Sequence, residues 1–111
     1  MLLSDKKTQL LQDLFDEINK LNSHYNPVSV EIPIDRMVRL EELKHSFSSL
    51  QKLNTDELVV FLMLNYENRK LSDVRQLILK SSGRTFPNYK IRKIESFVKR
   101  KLQRNMPYAN V

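Results

Sequence analysis

Asn54-Thr55-Asp56-Glu57-Leu58-Val59-Val60-Phe61-Leu62-Met63-Leu64 is the stretch that decides the fold. Asn54 with Glu57 three positions later has the spacing of a capping box, in which two helix-start amides are satisfied reciprocally. It opens a helix expected from Thr55 to about Arg69. The seven residues Leu58 to Leu64 are apolar on every face, so such a helix has no side to give to water. It is read as the central helix of the core, with a buried strand as the alternative for so short an apolar run. The rest of the chain must then wrap it in amphipathic elements.

Working outward toward the N-terminus, Asp35 can cap a helix running to about Lys52, with Met37 or Val38, Leu40, Leu43, Phe47 and Leu50 inward. Before it, Ser23 to Pro33 changes character. Ser-His-Tyr-Asn-Pro is turn chemistry, and Val28 to Ile32 alternates with period two before Pro33, as one short strand would. The first helix is expected from Ser4, its N-cap, to Asn22. Leu10, Leu11, Leu14, Phe15, Ile18 and Leu21 face the core, and Gln9, Asp13, Asp16, Glu17 and Lys20 form an acidic outer side.

Toward the C-terminus, Ser72 to about Lys80 forms a fourth helix with Leu71, Val74, Leu77 and Ile78 inward. Gly83, the only glycine, stands where a left-handed residue closes a helix. Asn88 can cap a fifth helix to about Gln103 or Arg104, burying Ile91, Ile94, Phe97 or Val98, and Leu102. Residues 105–111 read as a frayed tail. The expected fold is mainly α: one domain over residues 1–111, about five helices with at most one short strand, the last two helices forming a helix-turn-helix-like pair.

A chain of 111 residues can bury roughly 65% of the surface its unfolded form exposes, so one core is feasible. With no cysteine, disulfides, thiolate metal sites and a cysteine nucleophile are excluded. The start has two leucines and then charges, unlike a secretory signal, and seven consecutive apolar residues fall short of the roughly 20 needed to span a bilayer. We expect an intracellular protein with no membrane partner.

Charge is segregated. Between Arg84 and Arg104 eight cations (Arg84, Lys90, Arg92, Lys93, Lys99, Arg100, Lys101, Arg104) face one acid, Glu95. The chain's net charge is +6, so the excess belongs to this segment alone. With the apolar side of the fifth helix turned inward, Tyr89, Lys90, Arg92, Lys93, Ser96, Lys99, Arg100 and Gln103 point out. Lys90, Lys93, Lys99 and Arg100 suit phosphates, and Arg92, Ser96 or Tyr89 suit a base or sugar. Arg84 and Arg104 extend the footprint, and Asn88 with the first amides of the helix could seat a further phosphate. We expect a non-enzymatic nucleic-acid-binding protein, a regulator or accessory factor favouring duplex DNA, with RNA left open. The competing reading is a helical interaction module, or a homodimer formed through apolar helices, whose basic helix docks an acidic partner.

Two further patterns bear on function. Pro27 to Pro33, followed by helices at Asp35 to Lys52 and Thr55 to Arg69, resembles in element order the ribbon-helix-helix DNA-binding family, which implies paired strands in a major groove. It departs from that family in carrying Glu31 on the strand and a whole helix ahead of it. Catalysis finds no framework. His24 and His45 lack metal-ligand spacing, one glycine cannot build a phosphate loop, and Ser46, Ser48 and Ser49 have no base and acid arranged beside them. No metal or cofactor is expected.

Overall fold

A computed structural model describes residues 2–22 and 34–104. They form five helices in chain order: α1 (Leu3–Asn22), α2 (Ile34–Gln51), α3 (Thr55–Asn65), α4 (Leu71–Ser82) and α5 (Asn88–Arg104). Among the described residues there is no strand. The expected strand at Val28 to Ile32, His24, the ribbon of the ribbon-helix-helix pattern and the tail at 105–111 lie outside the described residues. No described helix is long and apolar enough to cross a membrane.

The central position of α3 follows from its sequence. Leu58, Val59, Val60, Phe61, Leu62 and Met63 are all buried, and each of the other four helices packs against α3. The helix starts on the capping box expected: the Asn54 side chain accepts the Glu57 N–H at 2.9 Å, and the Glu57 carboxylate accepts the Asn54 N–H at 3.3 Å.

It ends earlier than expected, at Asn65 and not at Arg69. The physical reason lies on α2. Arg36 donates to the Tyr66 carbonyl at 2.6 Å and Arg39 to the Asn65 carbonyl at 2.8 Å, so two guanidinium groups take carbonyls that a longer helix would have used. Cations there also match the negative end of the helix dipole. The chain then turns through Asn68, whose φ of 56° is left-handed, a conformation that asparagine tolerates better than most residues.

Three expected caps are corrected. Ser4 lies inside α1, whose first amides are received by the Leu2 carbonyl; its own carbonyl accepts the Thr8 hydroxyl. Asp35 sits in the first turn of α2, where its charge favours the helix start without capping it. Asn88 is the first residue of α5, and the Pro87 carbonyl accepts the Lys90 and Ile91 amides. α4 begins at Leu71, one residue ahead of the expected Ser72, and the Lys70 N–H before it is held at 3.3 Å by Asp73. Gly83 closes that helix as expected, at φ 72° with its N–H on the Leu79 carbonyl.

The surrounding helices bury narrower stripes than their periodicity suggested. In α1, Leu10, Leu14 and Ile18 are buried while Phe15 is exposed against Phe47 of α2, ring centroids 5.8 Å apart. In α2, Leu40, Leu43 and Leu50 are buried, but Met37 and Val38 both face out. In α5, Ile91, Val98 and Leu102 are buried, and of the expected pair Phe97 or Val98 only Val98 goes inside.

Candidate nucleic-acid interface

Helix α5 rests on α3, α4 and α2, and its inward residues are fixed by the core stripe. With Ile91, Val98 and Leu102 in the core, the 3.6-residue repeat turns Tyr89, Lys93, Ser96 and Arg100 to the far side, spaced by four, three and four positions. All four are exposed, Tyr89 to 76%.

The eight cations of the segment do not form one uniform face. Folding brings two acids from the first turn of α3 against them. Arg84 makes a two-pronged bond to Asp56, at 3.0 and 2.9 Å, which raises the guanidinium pKa still further. Lys101 reaches Glu57 at 3.0 Å. Glu95 is buried beneath the helix, accepts the Asn65 amide at 2.9 Å, and faces Arg92 at 3.1 Å and Lys99 at 3.9 Å. Eight cations thus meet three carboxylates, and the local excess is +5 where the sequence alone suggested +7.

Of the expected contact residues, Arg84 lies on the α4–α5 connection, tied to α3. Arg92 and Lys99 lie on the flank above Glu95. Arg104 is the last residue of α5. Lys90 sits 4.2 Å from the centroid of Phe86, a ring that the fold buries and so removes as a stacking platform. Lys93 and Arg100 are exposed and make no ion pair among the described residues. The structure therefore brings Tyr89, Lys93, Ser96 and Arg100 together, with Lys90 at their edge, and turns Arg84, Arg92 and Lys99 toward the protein's own acids. Arg92 and Lys99 are exposed, but the carboxylate they share is buried, so these two cations are held to the protein and are less free to turn to a ligand.

Beside this stripe, Glu57, Lys90, Lys93, Ile94, Phe97 and Arg100 line a cleft of about 350 Å³. Phe97 is half exposed, which corrects its expected place in the core, and the Lys101 ammonium lies 4.6 Å from its ring centroid. Sequence reasoning missed this because Phe97 and Val98 are adjacent, and only the tilt of α5 on α3 decides which enters the core.

A second polar region was not foreseen. A cavity of about 700 Å³ opens between α1, the start of α2 and the α3–α4 connection. At its wall the Tyr66 hydroxyl donates to Glu17 at 2.6 Å, Arg36 donates to both Glu17 oxygens at 3.3 Å, and Lys6 pairs with Glu67 at 3.1 Å. Glu17, expected as a solvated acid, is thus a tertiary contact. No local sequence signal marks it, since its partners stand nineteen and forty-nine positions away. Burial, then the bond to Glu17 and that residue's charge, push the Tyr66 phenol well above its ordinary value of 10.0. It is a fixed donor at neutral pH and no base.

Tyr66→Phe is expected to cost about 1.5–3 kcal/mol, the range for a hydrogen bond to a charged group, read by urea unfolding at pH 7. Because the folded phenol titrates above the unfolded one, its contribution is whole below about pH 10 and declines as pH rises beyond it. The gap between the two proteins should therefore narrow in alkali.

Among the described residues no three acidic or histidine side chains could hold a metal ion. His45 lies on an exposed face of α2, 3.9 Å from Glu41. Comparison with protein-family models, curated proteins and solved structures finds no match to this chain.

Proposed function

We propose that this protein is a non-catalytic nucleic-acid-binding protein that docks phosphates on the outward face of α5. One observation carries the reading: Lys93 and Arg100, seven positions and two turns apart on one exposed face, make no ion pair among the described residues, while Arg84, Arg92, Lys99 and Lys101 are paired with the protein's own acids. A strand of phosphates supplies the missing counter-charge, and releasing its condensed ions favours association. Tyr89 and Ser96, between and beside the two cations, add hydroxyls that can donate to phosphate, sugar or base edges. Lys90 completes a group of three cations not held by acids. The Tyr66 hydroxyl and Arg36 on Glu17, and Lys6 on Glu67, give the wall of the larger cavity a structural role.

The test is a salt titration of binding to a labelled nucleic acid. Three neutralised phosphates give a slope of log K against log salt of about −2.7 on duplex DNA and about −2.1 on a single strand. A slope near zero, or no binding at low salt, removes the proposal.

A further inference from the structure

We infer that the bound strand is unpaired, with a base stacked on Phe97 in the cleft beside α5; this rests on the nucleic-acid reading above. Phosphates alone would need only the cations. They leave unexplained why a phenylalanine on the flank of that face is half exposed, next to half-buried Ile94, in a cleft it shares with Lys90, Lys93 and Arg100.

An apolar flat surface ringed by positive charge fits a ligand whose flat apolar parts are strung on an anionic chain. A duplex presents phosphates but hides the faces of its bases within the stack, whereas an unpaired strand offers both. The cleft, at about 350 Å³, has room for a base and part of its sugar.

The spacing of the two exposed rings agrees. Tyr89 and Phe97 are eight positions apart, or about 12 Å along the helix axis. Stacked neighbours in a duplex rise about 3.4 Å. Adjacent bases that occupy both rings must therefore be splayed apart, with the phosphate between them free to reach Lys93 and the next one free to reach Arg100, one turn beyond Phe97. Lys101, held by Glu57, lies over one side of the Phe97 ring and does not line the cleft, so the base stacks on the side of the ring that the cleft presents. Glu57 sets one wall as acidic, which disfavours a phosphate there and leaves the cleft to the base.

The test compares fluorescence anisotropy for a labelled single-stranded DNA of about 12 nucleotides, the RNA of the same sequence and the DNA duplex, with the unaltered chain, Phe97→Leu and Phe97→Tyr. Phe97→Leu keeps an apolar side chain on Ile94 and removes the aromatic face, and circular dichroism verifies the fold. The expected result is a preference for a single strand over duplex of about tenfold or more. Phe97→Leu should lose about tenfold on the single strand and less than about twofold on the duplex, while Phe97→Tyr retains single-strand binding.

Equal or tighter duplex binding, or an equal effect of Phe97→Leu on both ligands, overturns the inference and leaves the nucleic-acid reading standing. Absence of binding to all three nucleic acids overturns both. So does Phe97-dependent binding of an acidic amphipathic peptide of alternating Glu and Leu by a chain that ignores nucleic acid.

Discussion

The double substitution Lys93→Glu with Arg100→Glu is expected to weaken nucleic-acid binding by about 100-fold or more at low salt, and to flatten its salt dependence by roughly two units of slope. Both side chains are exposed and neither makes an ion pair among the described residues, so the exchange removes no internal contact. The new carboxylates repel phosphate where cations had attracted it. Reversing Arg92 and Lys99 instead makes an informative control. Those two sit above Glu95, and two added acids there strain a buried carboxylate that now has counter-charges at 3.1 and 3.9 Å. Their variant should lose stability as well as affinity, whereas the Lys93 and Arg100 variant should unfold at the same denaturant concentration as the parent. If the latter binds as the parent does, α5 is not the interface.

Leu62→Ala is expected to be the most damaging single truncation, at about 2–5 kcal/mol. Leu62 is wholly buried, and its carbonyl accepts both the Tyr66 and Glu67 amides that turn the chain out of α3. Neighbouring side chains belong to a helix enclosed on all sides, so the void left by the missing atoms has little freedom to collapse. Measured against a total of about 5–15 kcal/mol for a domain, the loss is a large share of the whole. Urea unfolding with an unchanged m-value checks it. A shift under 1 kcal/mol would mean that the enclosure of α3 is looser than its burial indicates.

Much of the architecture was legible because the strongest signals were local. The box at Asn54 and Glu57, the unbroken apolar run after it and the glycine at 83 each act within a few residues, and each appears where the sequence put it. What could not be read were decisions taken between distant segments. The C-terminus of α3 is set by Arg36 and Arg39, which lie at least twenty-six positions upstream of the carbonyls they bind. Whether Phe97 or Val98 is buried depends on how α5 rolls against α3. The candidate site shows the same division. Its helix and its outward residues follow from periodicity, but the selection of Lys93 and Arg100 from eight cations required knowing where Asp56, Glu57 and Glu95 would come to rest.

Every other helix packs against α3, and the buried apolar residues of all five belong to one cluster. No hairpin of two helices could therefore be excised and keep its shape, and protection of backbone amides from exchange should be deepest along Leu58 to Met63, opening only when the whole molecule opens. The binding surface inherits that property. It sits on a rod whose position is dictated by a hidden strut, so losing the strut and losing the surface are a single event.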